Sequence, residues 1–166
     1  MADILQEITS NKNEILIARS CNSEDAEALQ KFFQQGAGES THTLICKDRE
    51  PSLLILKERA ESALKSSSEI YLGAFEESKI IGQLYFRAIS PEHPWIKHIG
   101  EFGMMISANF WGKGLGYELL NIMENFAKKI GVSKIEAKVR TTNERGLIFY
   151  KRNGYEIEGT RKKQFL

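Results

Sequence analysis

Apolar residues recur at the spacing of amphipathic helices in four parts of the chain. The predicted helices cover residues 24–35, 51–65, 115–130 and 144–152. Ser23 suits the N-cap of the first helix, and Pro51 suits the first turn of the second. The apolar pattern stops at Gly36 in the first helix and at Gly131 in the third, so we expect glycine to end both.

Shorter apolar or alternating runs separate these helices and predict strands. They cover residues 14–19, 70–75, 80–87, a central segment that begins at Gly100, 134–140 and 155–159. The turn of residues 76–79 is short enough to join two strands as an antiparallel hairpin. The resulting order, β-α-α-β-β-β-α-β-α-β, indicates a mixed α/β fold around a single sheet. No repeat or linker interrupts it, so we predict one domain over residues 1–166.

The composition is that of an ordinary globular protein, with 42% apolar and 27% charged residues, which argues against a disordered chain. No apolar run approaches the roughly 20 residues that a membrane-spanning helix needs. The first residues lack the basic segment of a signal peptide. Cys21 and Cys46 have neither metal-ligand spacing nor an obvious disulfide pattern. We therefore expect a cytoplasmic protein with no membrane partner and no bound metal.

The net charge of +1 is unevenly distributed along the chain. Acidic residues predominate over 1–108, and basic residues predominate over 109–166. A basic C-terminal third suits an anionic cofactor and equally suits nucleic acid, whereas scattered lysines on helix surfaces would explain much of it. The basic residues are not interleaved with aromatic ones in a stripe, which argues against nucleic acid as a partner.

The segment from Trp111 to Tyr117 places three glycines at the start of the third helix. A helix start has several backbone N–H groups without partners and the positive end of the helix dipole, so it suits a phosphate or diphosphate. Glycines lack Cβ atoms and let a ligand approach the main chain closely. The pattern is not the dinucleotide fingerprint G-x-G-x-x-G, because Tyr117 stands where the last glycine belongs, and there is no P-loop.

This segment resembles the acetyl-coenzyme A loop of the GNAT superfamily of N-acetyltransferases, whose signature is Gln/Arg-x-x-Gly-x-Gly/Ala. Trp111 replaces the usual Gln or Arg, a departure associated with branches that acetylate protein N-termini or polyamines. Residues 139–155 resemble a second family motif, V-x-x-x-N-x-x-A-x-x-x-Y-x-x-x-G-F, with Gly146 for the alanine and Tyr155 for the phenylalanine. The order of elements also matches, so the resemblance covers nearly the whole chain.

The resemblance implies the GNAT fold, a single mixed and mostly antiparallel sheet flanked by helices, and it implies acetyl-CoA as co-substrate. The central strand would hydrogen-bond the pantetheine arm, and the glycine loop would hold the diphosphate. The implied cofactor-binding residues are Met104, Met105, Ile106, Trp111, Gly112, Lys113, Gly114, Leu115, Gly116, Tyr117 and Asn143. Lys113 is either a contact of the diphosphate or a solvated loop lysine, and the capping of the fourth helix alone would explain Asn143.

Two residues are implied as catalytic. Tyr150 matches the family tyrosine near the coenzyme sulfur, where a phenol can protonate a departing thiolate. A core tyrosine on an amphipathic helix is the alternative. Glu101 would accept the amine proton directly or through water, unless it is an ordinary strand-end glutamate in solvent. His98 could serve as this base and ranks below Glu101.

We thus predict an N-acetyltransferase that transfers an acetyl group to a primary amine of a small molecule or peptide N-terminus, by direct attack in a ternary complex. The rival reading is a non-catalytic acyl-CoA sensor. The family fold ends with a further strand, whereas this chain has only residues 161–166 after the strand predicted from Tyr155. Either Gln164–Leu166 begins that strand, or a sheet edge stays open or is covered by a partner chain, which favours a homodimer.

Overall fold

The computed structural model describes residues 3–11, 13–42 and 50–164. Its centre is a six-stranded sheet whose strands follow chain order: β1 Leu5–Thr9, β2 Ile15–Ser20, β3 Glu69–Glu76, β4 Lys79–Ala88, β5 Ile99–Ile106 and β6 Lys134–Ala137. Four helices flank it: α1 Ala26–Glu39, α2 Leu53–Lys65, α3 Leu115–Lys129 and α4 Glu144–Arg152. Neighbouring strands are antiparallel except β5 and β6, which are parallel. The predicted fold class is confirmed.

The sheet has an apolar core on each face because successive strand residues point to opposite sides. On one face, Phe86 and Phe102 pack with the apolar stripe of α3, which includes Leu119 and Met123. On the other face, Tyr71 and Phe75 pack beneath α1 and α2. The two cores fix the sheet between two helix layers.

The parallel pair at the end of the sheet is short, and this opens a gap. The last paired residues are Phe102 of β5 and Ala137 of β6. Beyond this pair, residues 103–106 of β5 pair only with β4, so their other edge has no strand partner in the described part of the chain. The glycine segment that leads into α3 follows directly after this free edge.

The two ends of the sheet differ from the sequence prediction. A strand, β1, precedes the one predicted to be first, and its pattern gave no signal because Ile8 alone of its five residues is buried. The strand predicted over 155–159 is wrong: these residues form no strand, and Ile157 is 59% exposed. The strand predicted over 134–140 ends at Ala137. Of the proposed final strand from Gln164, residues 165–166 lie outside the described residues.

The first two helices also begin and end elsewhere than predicted. Asn22, not Ser23, caps the first helical segment, accepting a hydrogen bond from the main chain of Glu24, and a 3₁₀ turn then leads into α1. The helix continues past Gly36 to Glu39, because Gly36 faces the sheet and its missing side chain makes room for Met105. Pro51 lies before the N-cap Ser52 of α2 and is not in its first turn.

Candidate active site

The loop before α3 uses two glycines in a conformation that other residues adopt only with strain. Gly112 has φ +73° and Gly114 has φ +87°, both in the left-handed region. The main-chain N–H groups of Gly112, Gly114, Leu115 and Gly116 donate no backbone hydrogen bond within the described residues. Because α3 begins at Leu115, these donors coincide with the positive end of its dipole. The loop therefore fits an anionic group such as a diphosphate.

The residues predicted to bind the cofactor at the start of α3 differ in how much of each a ligand could reach. Leu115 is buried in the core, so only its main chain is available to a ligand. The exposed Tyr117 lies in the first turn of α3, and its N–H already donates to the Gly114 carbonyl. The missing side chain of Gly116 permits the close packing of Phe149 from α4, since a Cβ there would lie 3.3 Å from that ring.

The Lys113 side chain does not extend into solvent, because two other residues contact its ammonium. Its ammonium lies 4.5 Å from the centroid of the Phe110 ring and 3.8 Å from a carboxylate oxygen of Glu14, and its side chain is only 20% exposed. The Lys113 carbonyl accepts a hydrogen bond from the Asn11 N–H at 2.8 Å. The turn between β1 and β2 thus holds the glycine loop in place, a contact that the sequence did not predict because β1 was missed.

Trp111 connects the glycine loop to the end of β5 and to α4. Its indole Nε1 donates to the Ile106 carbonyl at 2.7 Å, and the Arg145 guanidinium lies 3.2 Å from the ring centroid. Partial burial lowers the pKa of Arg145, and no carboxylate in the described part of the chain contributes to the shift. Asn143 caps α4 as expected, accepting from the Gly146 N–H at 3.0 Å.

The three predicted pantetheine contacts lie on the free edge of β5. Met104, Met105 and Ile106 all fall in the part of β5 beyond the last β6 pair. Their main-chain groups on that edge have no strand partner in the described chain, which suits hydrogen bonds to an extended ligand. The gap is bridged further out, where Arg140 Nη1 donates to the Thr41 carbonyl at 2.9 Å.

Glu101 is held by two cations on the α1/α2 face of the sheet. Its Oε1 accepts from the Arg87 guanidinium at 2.6 and 3.0 Å, and its Oε2 accepts from the Lys138 ammonium at 3.1 Å. These bonds, Arg87 foremost, hold the pKa of Glu101 below its usual range. The carboxylate is therefore ionised at neutral pH, and its proton affinity is weaker than that of a free glutamate.

Tyr150 lies on the opposite face of the sheet from Glu101. Its ring packs edge-on against Phe102 and Phe149, with centroids 5.7 and 5.2 Å apart, and it also touches Tyr155. Burial raises the pKa of Tyr150 to about 12, so the phenol stays protonated at neutral pH. The side chains of residues 101 and 102 alternate across the sheet. The two candidate catalytic groups consequently flank β5 where the gap begins.

Open space lies above Gly103, on the same face as Glu101. A Cβ added there would meet nothing within 4 Å. Tyr85 lies directly across from it on β4, and Glu101 and Met105 are the next residues on its own face. A glycine inside a strand often marks a close approach of a ligand or of another backbone. The open space lies directly after Phe102, the last residue of β5 that pairs with β6.

His98 and His93 are not brought to this place, whereas His42 lies beside the Arg140–Thr41 bridge, with its Nδ1 3.5 Å from the Thr142 hydroxyl. His98 precedes β5 at the end away from the gap, five residues or roughly 16 Å from Gly103 at strand spacing. The exposed His93 accepts from the Trp95 N–H. Among the described residues, no three His, Cys, Asp or Glu side chains could together hold a metal ion. Cys21 is buried in the α1/α2 core, and Cys46 lies outside the described residues.

Three residues near the candidate site were missed from the sequence: Asn11, Arg87 and Arg145. Arg87 requires the register of β4 against β5 to be known, and Asn11 requires β1. Arg145 did have a signal. Because Trp111 replaces the Gln or Arg of the family motif, a cation from another segment was a reasonable expectation, and the second motif contains Arg145.

A search for a bilayer-crossing segment among the described residues found no helix of sufficient length and apolarity.

Comparison with known proteins gives a consistent result. The model of the acetyltransferase (GNAT) family matches residues 26–155. The spermidine N(1)-acetyltransferase of Thermoplasma acidophilum is 27% identical over 97 residues, which cover 58% of this chain but only 56% of that relative. The structure of an acetyltransferase of the GNAT family from Streptococcus pneumoniae has a TM-score of 0.82 and 25% identity, and covers 91% of this chain and 90% of that one.

A second structure supports the fold alone. The PaiA N-acetyltransferase of Thermoplasma acidophilum, solved in complex with coenzyme A, has a TM-score of 0.75 and 22% identity, and covers 89% of this chain and 93% of that one. The family model covers most of the chain, and the sheet, the gap and the glycine loop occur together. This protein belongs to the GNAT family of acetyltransferases.

Proposed function

We propose that the protein transfers an acetyl group from acetyl-CoA to a primary amine by direct attack in a ternary complex. The observation that carries the proposal is the position of the gap. It opens beside β5 where Glu101 and Tyr150 flank the strand from opposite faces, and it leads directly to the glycine loop. One ligand could therefore bind the loop with its phosphates and present a thioester between the two side chains.

Two features of the site fit acetyl-CoA, the glycine loop and the free edge of β5. The loop has main-chain donors for a diphosphate, and Gly112 and Gly114 supply the backbone conformation that turns these donors outward. The free edge of Met104 to Ile106 can bond the amides of the pantetheine arm. Acetyl-CoA supplies the activated acetyl group, and the chain supplies its orientation and the proton transfers.

Each candidate catalytic residue would handle one proton. Tyr150 donates its hydroxyl proton to the sulfur as the C–S bond breaks, because its raised pKa keeps it protonated at neutral pH. Glu101 accepts, directly or through water, the proton that the amine loses as the C–N bond forms. Since Arg87 and Lys138 lower its pKa, Glu101 is a weak base and passes this proton on to solvent. The open space above Gly103 is where the amine would enter.

The acceptor class is either a polyamine or a peptide N-terminus. The spermidine N(1)-acetyltransferase relative supports a polyamine, and the family resemblance associates Trp111 in the glycine motif with both kinds of branch. Near the entrance, the Glu101 carboxylate pairs with the Arg87 guanidinium, and the Glu69 carboxylate accepts a hydrogen bond from the neutral Tyr85 hydroxyl. This mixture favours an acceptor with one amine beside neutral or acidic groups over a highly cationic one.

One observation favours a second candidate, an acyl-CoA sensor without turnover. The two cations on Glu101 weaken the base that catalysis would use. A sensor and an enzyme would bind the coenzyme alike, so only turnover separates them.

The test has two stages. Thermal unfolding with excess acetyl-CoA, and with NAD and ATP as controls, should give a shift for acetyl-CoA alone. Binding at about 100 times Kd adds about 2.7 kcal/mol, or about 5–10 °C for a domain of this size. Thiol release is then followed with spermidine, an alanyl peptide and its N-acetylated form. Release with one free amine supports the enzyme, a shift without release indicates the sensor, and no shift refutes acetyl-CoA binding.

A further inference from the structure

The glycine loop has a tryptophan where the family motif has the donor side chain of Gln or Arg, and the structure brings a donor side chain from another helix. Trp111 occupies the position of the usual Gln or Arg, and Lys113 is held by Phe110 and Glu14. Arg145 lies in the first turn of α4, with its guanidinium 3.2 Å from the Trp111 ring centroid. The tryptophan that replaces the motif residue therefore also contacts an arginine that can substitute for it.

The position of Arg145 is defined from two sides. Trp111 is fixed by the bond from its Nε1 to the Ile106 carbonyl, which joins the ring to the end of β5. Arg145 and Phe149 are four residues apart and share one face of α4, and Phe149 packs against Gly116 in the first turn of α3. This face of α4 therefore contacts the glycine segment at two places, through Arg145 on Trp111 and through Phe149 on Gly116.

A guanidinium stacked on an aromatic ring keeps its N–H donors in its own plane. The stack uses the face of the group, so the edge remains available for a bidentate bond to a phosphate. Among the described residues, no carboxylate raises the pKa of Arg145; partial burial lowers it, and the side chain stays exposed to solvent.

We propose that Arg145, positioned by Trp111, binds a phosphate of the coenzyme and takes over the role of the motif residue that Trp111 replaces. The bonded group is the diphosphate or the 3′-phosphate, both of which offer the same anionic oxygens. This assignment rests on the proposed function, because it requires acetyl-CoA to occupy the glycine loop.

Arg145→Met tests the assignment, because methionine retains an apolar stem over Trp111 and removes the charge. Arg152→Met is the matched control, since Arg152 is an exposed arginine in the last turn of the same helix. Calorimetric titration should show CoA binding weakened roughly 10- to 100-fold by Arg145→Met and less than twofold by Arg152→Met. Arg145→Lys should recover part of the loss, because lysine keeps the charge without the planar fork.

Two further ligands identify the phosphate and exclude a purely structural role. If Arg145 binds the 3′-phosphate, the loss disappears with 3′-dephospho-CoA; if it binds the diphosphate, the same loss remains. Pantetheine has no phosphate, and its affinity should be equal in the wild type and Arg145→Met. An equal loss with pantetheine, or no loss with CoA, overturns the proposal. Failure of the wild type to bind CoA would instead refute the proposed function.

Discussion

Because the β1–β2 turn contacts the glycine loop, we expect alanine at two neighbouring glycines to lower the free energy of unfolding by different amounts. Gly112 and Gly114 both have positive φ, so alanine at either position should cost about 1–2 kcal/mol of backbone strain. The surroundings differ. A Cβ at Gly112 would meet nothing within 4 Å, whereas a Cβ at Gly114 would lie 2.5 Å from Asn11 Oδ1. Gly114→Ala should therefore cost about 0.5–1.5 kcal/mol in addition, because the exposed Asn11 side chain must leave its rotamer.

Urea denaturation of the ligand-free variants measures the difference. Gly112→Ala isolates the strain, and the excess destabilisation of Gly114→Ala isolates the contact with Asn11. The double variant Gly114→Ala/Asn11→Ala should return to about the stability of Gly112→Ala, because the three nearest atoms to the new Cβ belong to the Asn11 side chain. The main-chain bond from Asn11 to Lys113 remains in this variant. Equal losses at both glycines, or no recovery in the double variant, would refute the contact.

Three other changes probe the site itself. The folded-state pKa of Glu101 is lowered, so its pairs with Arg87 and Lys138 stabilise the protein above the ordinary carboxyl pKa of about 4.3, and this contribution is lost as pH falls through the lowered value. Glu101→Gln should lose less Tm between pH 6 and pH 3 than the wild type does, and parallel curves would contradict this. Tyr150→Phe should lower kcat about 100-fold or more with the acetyl-CoA Kd unchanged, while the wild type shows no alkaline decline from this group until near pH 12; unchanged kcat would remove Tyr150 from the mechanism. Gly103→Val should raise the KM for the amine at least about tenfold through lost space, measured beside an unchanged coenzyme Kd, and an unaltered KM would place the acceptor elsewhere.

The elements that could be predicted from the sequence are those whose apolar pattern, turn or cap is formed by residues close together in the chain. The apolar stripe of α3, the β3–β4 hairpin and the Asn143 cap all depend on residues close together in the chain, and all are confirmed. The strand β1 could not be predicted in this way. It has one buried residue and exists because its main chain pairs with β2 along the sheet edge.

The errors have physical causes that involve distant residues. Gly36 looked like a helix end, but it lies inside α1 because Met105, on a strand far along the chain, needs the space. Tyr155 looked like a strand residue, but its partial burial comes from packing against Phe102 and Tyr150 and not from strand pairing. The basicity of Glu101 likewise depends on Arg87 across the sheet, so a carboxylate at the start of the central strand could be predicted from the family resemblance and its protonation chemistry could not.

The bonds that close the candidate site join segments far apart in the chain. Arg140 reaches Thr41 across a separation of 99 residues, and the Glu39 carboxylate accepts from the Ala108 N–H across 69. Contacts of this range form only after long loops have closed, at a large entropic cost. A nascent chain synthesised only as far as α3 would contain the glycine helix without the far wall of the cleft. The two sides of the candidate site therefore come together only after the chain has folded through α4.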